Sequence, residues 1–298
     1  MKIGVMAESF RCDFRTAIEK AAALGADGVQ KYAVGEELNW TDAQIKEALD
    51  IVKSNGMVFS ALCGDFGCGF GNPDRNPEII EKSKRVIELA KKLECNVVTT
   101  HIGHLTAEET PTKEIMRKAC RELAIFADSM EAAFAVETGP ETGEILGEFL
   151  DSLGAGGVRV NFDPANLVMC AGDRPENALK YIGKYVVHTH AKDGLKLIPT
   201  EKDEILTYTD AQLATLSRYL GKQLTVGEEH DQLAGMGQAF IELPLGEGGV
   251  DFDVYLPALA ASGFDGFLTI EREVGDSPEA DIALAVNFLK EKKAKFAL

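Results

Sequence analysis

The chain has 298 residues, 48 acidic and 31 basic for a formal net charge of -17, and 45% of its residues are hydrophobic. That length suits one large α/β barrel or two medium domains, the apolar content is enough for a full core, and so acidic a surface repels phosphate backbones and argues against broad nucleic-acid binding. No apolar run approaches a membrane span, the first residues Met1-Lys2-Ile3-Gly4-Val5 lack signal-peptide anatomy, and the cysteines are scattered singly, as in a reduced cytoplasmic protein rather than a disulfide framework.

Lys2 to Ala7 reads as a first strand, closed by Glu8 and Ser9. Phe14 to Leu24 has Ala17, Ile18, Ala21 and Leu24 at helical spacing, and after the turn Gly25-Ala26-Asp27-Gly28 a short strand is expected over Val29 to Tyr32. Thr41 caps a helix predicted to run to about Ser54 and to stop at Asn55-Gly56. Val58 to Leu62 is the third strand, followed by a glycine-rich loop from Cys63 to Gly71 and a helix from Pro77 to Leu93. Asn96 to Thr100 is the fourth strand and runs into His101-Ile102-Gly103-His104. The alternation continues with a helix over Pro111 to Met130 and a strand over Ala133 to Val136 that ends in Glu137-Thr138-Gly139-Pro140. Thr142 to Leu153 is helical, and Val158 to Phe162 is a strand ending in Asp163-Pro164-Ala165-Asn166. A helix-rich stretch then reaches about Ile182. Tyr185-Val186-Val187-His188-Thr189-His190-Ala191-Lys192-Asp193 reads as a buried strand with a polar end; residues two apart on a strand share a face, so His188 and His190 point the same way. Phe267 to Ile270 is the last strand, ending in Glu271-Arg272-Glu273, and Ala280 to Glu291 is the closing helix.

Eight strands, nearly all followed by helices, predict parallel strands closed into a single (β/α)8 TIM barrel over residues 1–298. The irregularity is 195–241, longer than a crossover needs and read as an inserted segment between strands seven and eight. It holds a predicted helix over Asp210 to Leu220, then Glu228-Glu229-His230-Asp231 and a glycine-containing run. Leu213, Leu216 and Leu220 give that helix an apolar stripe, expected to cover the barrel mouth or a neighbouring subunit of a homo-oligomer.

In such a barrel the chemistry sits where strands finish. Strand five ends in Glu137, strand six in Asp163, strand seven in His190 and strand eight in Glu271. Two glutamates, an aspartate and a histidine make a hard, mostly oxygen site, suited to Mn²⁺ or Mg²⁺, with Co²⁺ and Zn²⁺ as alternatives. Without a cation, three clustered carboxylates would repel one another and raise their own pKa values. Any one of them alone reads more readily as a capping or turn carboxylate; one ligand type at each of four strand ends is hard to obtain from capping. Glu8, His101 and Lys192, each at a strand end, are candidates to contact a substrate.

Glu137-Thr138-Gly139, Asp163-Pro164-Ala165-Asn166, His188-Thr189-His190-Ala191-Lys192-Asp193, Leu245-Gly246-Glu247-Gly248 with Val250-Asp251-Phe252, and Gly266 to Glu271 resemble the xylose isomerase-like barrel superfamily. Within it the match is to sugar phosphate isomerases/epimerases, including ketose 3-epimerases and inositol-catabolism enzymes. The resemblance spans nearly the whole chain. It implies that Glu137, Asp163, His190 and Glu271 hold one divalent ion, Mn²⁺ before the others, and that the two glutamates also move protons. It also implies that His188 lies deeper in the barrel as a supporting or packing residue, and that Lys196 joins the substrate contacts. Two positions depart from the ketose 3-epimerase pattern. A histidine three residues after the metal aspartate is Asn166 here, and an arginine six residues after the metal histidine is Lys196, which keeps the charge but not the planar fork of donors.

The expected reaction is proton transfer beside the carbonyl of a small carbohydrate, a sugar, keto-sugar or sugar phosphate, through a metal-stabilised enediolate. One glutamate takes the proton and the other returns one. Return on the opposite face gives epimerisation, and delivery to the neighbouring carbon gives aldose–ketose isomerisation. Lys192 or Lys196 would neutralise a phosphate or the enediolate. The alternative is a metal-dependent lyase or dehydratase, in which an enolised 3-keto-glycoside or inosose eliminates a β-leaving group or water. A metal-free binding barrel is argued against by the full set of four ligands. A three-zinc apurinic endonuclease is disfavoured by the five histidines, the charge of -17 and Asn166 in a ligand's place.

Overall fold

The computed structural model describes residues 1–199, 204–224, 232–233 and 237–298; the run Glu228-Glu229-His230-Asp231 lies outside the described residues. Ten strands are described: β1 (Lys2–Met6), β2 (Gly28–Tyr32), β3 (Val58–Cys63), β4 (Val97–Thr100), β5 (Ala133–Glu137), β6 (Val158–Phe162), β7 (Val186–Ala191), β8 (Asp193–Lys196), β9 (Phe240–Leu243) and β10 (Phe267–Ile270). Eight of them close into a barrel in the order β1-β10-β7-β6-β5-β4-β3-β2. All of these barrel pairs are parallel, so the expected (β/α)8 barrel is the fold.

Crossover helices span Phe14–Leu24, Asp42–Ser54, Asn76–Lys92, Pro111–Ser129, Gly143–Ser152 and Pro175–Ile182, with Pro278–Phe296 closing the chain. Local chemistry sets their limits. Thr41 and Gln44 form a reciprocal capping box, and the Thr110 and Thr142 hydroxyls accept from the backbone N–H of Lys113 and Ile145. Gly25, at φ 86°, ends the first helix in the left-handed conformation that glycine adopts without a steric penalty. Phe134, Ala135 and Val136 are consecutive and all fully buried. Both faces of β5 are therefore covered, which is why its sequence reads as an apolar run rather than an alternation.

The barrel interior is interrupted by polar side chains. Gln30 on β2, Thr99 on β4, Asn161 on β6, His188 on β7 and Thr269 on β10 are all at most 1% exposed. Two of these lie at breaks in the strand register, one between Val29 and Gln30 against β3 and one between Val160 and Asn161 against β7. An extra residue in one strand re-aims the side chains that follow it, here just below the rim.

After β7 the chain does not turn away. Lys192 alone separates it from β8, which pairs antiparallel with β9 from Asp193↔Leu243 to Lys196↔Phe240. This ribbon is not among the expected elements. The helix Asp210–Leu220 is, and a Thr209–Gln212 capping box starts it. Of its stripe, Leu220 lines a cavity beside Asn166 and Lys192, and the other two residues turn to the ribbon. Leu213 and Leu216 are buried against Leu195, Leu197, Leu224 and Leu243 in a second, smaller core, because the ribbon has an apolar face of its own to cover. The Asp193 carboxylate fastens the returning chain, accepting the backbone N–H of Gly194, Gly246, Gly248 and Val250 at 2.9–3.0 Å. A Cβ on Gly248 would lie 2.2 Å from Asp193 Oδ1, so no side chain fits there. No described helix is long and apolar enough to cross a membrane.

Candidate metal centre

Glu137 is the last residue of β5, Asp163 follows β6, His190 lies in β7 and Glu271 follows β10. These four strands are successive in the barrel, so the four side chains stand along one arc of its rim. All four are buried, and one ligand atom of each lies within 4.8 Å of the others. His190 Nδ1 is the hub, 3.4 Å from Glu137 Oε1, 3.4 Å from Asp163 Oδ2 and 3.3 Å from Glu271 Oε2.

For Asp163 the capping role and the candidate ligand role fall on different oxygens. Oδ1 accepts the N–H of Ala165 at 2.8 Å and of Asn166 at 3.0 Å, starting the short turn after β6. Oδ2 is buried without a hydrogen-bond partner, as is His190 Nδ1, and the two face each other. An unsatisfied buried polar atom costs about 1–3 kcal/mol, so a facing pair is a sign of something the pair is built to hold. The charges agree. Glu137, Asp163, Glu242, Glu271, Glu273 and Asp281 are set against Lys192, Arg272 and His190. Like charges about 4 Å apart repel by about 4 kcal/mol at an effective dielectric near 20. Three carboxylates and one imidazole are a donor set that fits a hard divalent cation, which would offset that surplus.

The supporting residues hold the donors in place. His190 Nε2 donates to Gln30 Oε1 at 3.1 Å, and Gln30 is itself oriented by donating from Nε2 to Thr99 Oγ1 at 2.8 Å. The hydrogen on Nε2 leaves Nδ1 facing the carboxylates. Burial alone would push His190 down, but Glu271, Glu137 and Asp163 outweigh it and hold it well above the ordinary histidine range. In Glu137, Oε2 accepts from Asn161 Nδ2 and Oε1 from Asn166 Nδ2, each at 3.1 Å. The asparagine that replaces the expected histidine therefore orients a candidate ligand. His188 lies one layer down, with Nδ1 2.8 Å from Asn161 Oδ1 and Nε2 2.8 Å from Thr269 Oγ1, so both ring nitrogens are satisfied.

Of the four candidates for substrate contact, the structure brings two to this centre. Lys192 donates to Glu271 Oε2 at 2.8 Å and to Glu273, and lies 3.8 Å from Glu242. Burial opposes its charge, but the carboxylates, Glu271 first, outweigh burial and keep it protonated. Burial likewise pushes Glu271 up, and His190 and Lys192 more than reverse this, holding it well below the usual carboxylate range. His101 is half exposed, with Nδ1 2.9 Å from Asp65 Oδ2 and Nε2 3.7 Å from Glu137 Oε1. Against the downward push of burial, Asp65 and Glu137 raise it to about 9. Glu8 is bonded instead to Lys31 Nζ at 3.3 Å and Tyr32 N at 3.2 Å, and not to any of the four. Lys196 donates to Glu204 at 2.7 and 2.8 Å and lines a separate cavity of about 500 Å³ with Gly172 and Arg174, because the unexpected ribbon carries it there.

Gln30, Asn161, Asp65 and Glu242 were not singled out from the sequence. Asn161 leaves a faint signal, a lone amide between apolar neighbours in a strand, Val160 and Phe162; Gln30, between Val29 and Lys31, leaves less. Asp65 and Glu242 leave none, since one sits in a loop and the other in a strand that was not expected.

The profile of the xylose isomerase-like TIM barrel family matches residues 18–292. By fold the chain is similar to a xylose isomerase domain protein from Planctomyces limnophilus, with a TM-score of 0.76 and 22% identity over 99% of this chain and 98% of that one. It is similar to a probable 3-DHS dehydratase from Bacillus anthracis, with a TM-score of 0.70 and 16% identity over 97% and 99% of the two chains. It is also similar to a 3-keto-D-glucoside 4-epimerase from E. coli, with a TM-score of 0.70 and 15% identity over 98% and 99%. No curated protein is matched by the sequence.

Proposed function

The chain belongs to the xylose isomerase-like TIM barrel family, and from that premise we propose that it is a divalent-metal-dependent isomerase or epimerase. Its substrate is a sugar, keto-sugar or sugar phosphate, and its reaction is proton transfer next to the carbonyl. The observation that carries this reading is the facing pair of unsatisfied buried atoms, His190 Nδ1 and Asp163 Oδ2, with Glu137 and Glu271 on either side. When bound there, a divalent ion, Mn²⁺ before Mg²⁺, Co²⁺ or Zn²⁺, would supply positive charge to two adjacent substrate oxygens as the proton leaves.

The chain's own residues do the rest. Glu137 and Glu271 end the arc on opposite sides, so their carboxylates approach a bound substrate from two directions. One removes the proton and the other returns it. Asn161 and Asn166 fix the plane of Glu137, and Lys192 fixes that of Glu271. His101, half exposed and near Glu137, is placed to pass a proton between that carboxylate and solvent. The lyase reading uses the same groups, with the buried Lys192 ammonium giving its proton to a departing oxygen; the likeness to a probable dehydratase supports keeping it. The cysteines are all free, in keeping with a reducing cytoplasmic setting.

The test is a panel of keto-sugars, inososes and sugar phosphates incubated with the Mn²⁺-loaded protein in deuterated water and read by NMR. Deuterium should enter one carbon, and Glu137→Gln and Glu271→Gln should each slow turnover by about 10²–10⁴-fold. Near-normal turnover in either variant would end the two-glutamate reading. The product, an epimer or isomer on one hand and an eliminated species on the other, separates the two reactions.

A further inference from the structure

Asn166, which donates to Glu137, and Lys192, which donates to Glu271, both line one cavity of about 420 Å³. The cavity therefore opens beside the centre, against the residues that hold its two glutamates. Its size lies in the range of about 300–1,000 Å³ that takes ligands with more than one ring, and its walls are of two kinds. On the inner side the charged groups are already matched. Lys192 faces Glu242, Glu271 and Glu273, and Arg272 is bonded to Glu242 at 2.6 Å and Asp281 at 2.8 Å. A phosphate dianion entering here would meet a surplus of carboxylates.

The other side is mostly apolar, with Met169, Tyr219, Leu220, Phe240, Ile241 and Val274 beside Gln238. Tyr219 is 39% exposed, Phe240 45% and Val274 47%. Large apolar side chains exposed singly need no explanation, but these three share the mouth of one cavity, and a gathered patch beside a polar site marks a place where something apolar is covered. The barrel strands do not supply it. Tyr219 and Leu220 end the helix Asp210–Leu220, Phe240 and Ile241 belong to β9, and Val274 follows β10.

We infer that the substrate is a glycoside with a flat, apolar aglycone, an aryl group, which lies against Tyr219, Phe240 and Val274 while the sugar meets the four-residue centre. Aromatic side chains favour such a ring by stacking or edge contact beyond the area they cover. The inference rests on the carbohydrate reading above and narrows it, setting an aryl glycoside ahead of a free monosaccharide or a sugar phosphate.

The test uses the full chain loaded with Mn²⁺. Phenyl and methyl β-D-glucoside, which lack the carbonyl and do not react, are titrated calorimetrically, alongside solvent-deuterium exchange on the corresponding 3-keto-glucosides. The phenyl compound should bind about tenfold more tightly, as burial of one ring face predicts. Tyr219→Ala with Phe240→Ala should bring the ratio close to one; both side chains are exposed, and a thermal melt checks that the fold is kept. Equal or absent binding of the two glucosides, survival of the preference in the double variant, or tighter binding of glucose 6-phosphate than of phenyl glucoside overturns the aryl site. So does a double variant that changes only the oligomeric state in light scattering, which would make the patch a contact between copies. Exchange without a phenyl preference sinks the aryl site and leaves the reaction standing; a phenyl preference with no exchange on either keto-glucoside does the reverse.

Discussion

His188 and His190 stand on the same face of the same strand, two residues apart, and their surroundings are opposite. Around His188 both nitrogens have partners, Asn161 and Thr269, and burial pushes the ring well below the ordinary histidine range, so it is held neutral. Around His190 one nitrogen is tied to Gln30 and the other faces three carboxylates with no bond of its own. The lower layer is finished, and its polar groups close on one another. The upper layer is unfinished in a specific direction. In a barrel filled with side chains, burial of a polar residue says little about its role; what separates the layers is whether every donor and acceptor is accounted for.

The largest effect should fall on the upper layer. His190→Ala or Asp163→Ala is expected to lose stoichiometric divalent metal, read by elemental analysis after gel filtration. Full metal content in the variant with all four positions changed to alanine would remove the site altogether. In the lower layer, His188→Ala should cost about 2–4 kcal/mol of stability in urea unfolding, since it opens a cavity and strands Asn161 Oδ1 and Thr269 Oγ1. Metal content in that variant should stay stoichiometric, and a loss as complete as that of His190→Ala would erase the distinction. Gln30→Leu joins the layers by releasing His190 Nε2, and should weaken metal binding by about 10–100-fold in a competition titration.

The smallest effect concerns Glu141, buried beyond the end of β5 with Oε2 unpartnered. Burial pushes this carboxyl up to about 7. The folded state thus holds the proton more tightly than the unfolded one, and stability falls as pH rises between the unfolded value and about 7, with the full cost present above it. Glu141→Gln should leave stability at pH 4 unchanged and raise it by about 1–2 kcal/mol at pH 8. A gain that is the same at both pH values would mean that burial is not what opposes the charge on this group. Lost turnover alongside the gain in stability would add Glu141 to the working residues and show that an unpartnered oxygen marks function away from the four as well.

The four strand-end residues were legible because each follows an apolar, β-rich run and precedes a turn, a pattern tied to one end of the barrel. The barrel itself was legible from strict alternation. The residues that orient the ligands were not, because Gln30 and Asn161 depend on register breaks that leave no mark in composition. Lys192 was placed by its position one residue past the strand. Lys196 lies apart from the four for the opposite reason. Leu195 and Lys196 open the stretch that reads as an insertion, and the partner strand, Phe240–Leu243, lies far along the chain, so nothing local announces the ribbon that takes Lys196 to another cavity.

The ribbon also divides the molecule into separately adjustable parts. Its two strands enter and leave side by side, and Leu197 N donates to Ala239 O at 2.8 Å where the stem opens. Among the described residues, the helix Asp210–Leu220 lies beyond that point, a cassette on the stem. Because doubling a flexible loop costs only about 0.6 kcal/mol, the cassette can be lengthened, shortened or exchanged with little charge to the barrel. Tyr219 lies in the cassette and Phe240 at its junction with the stem, whereas Glu137 and Glu271 lie at the barrel rim. On the function proposed above, a lineage could change what it accepts without touching the two glutamates, and swapping the residues between Leu197 and Ala239 is the natural place to try it.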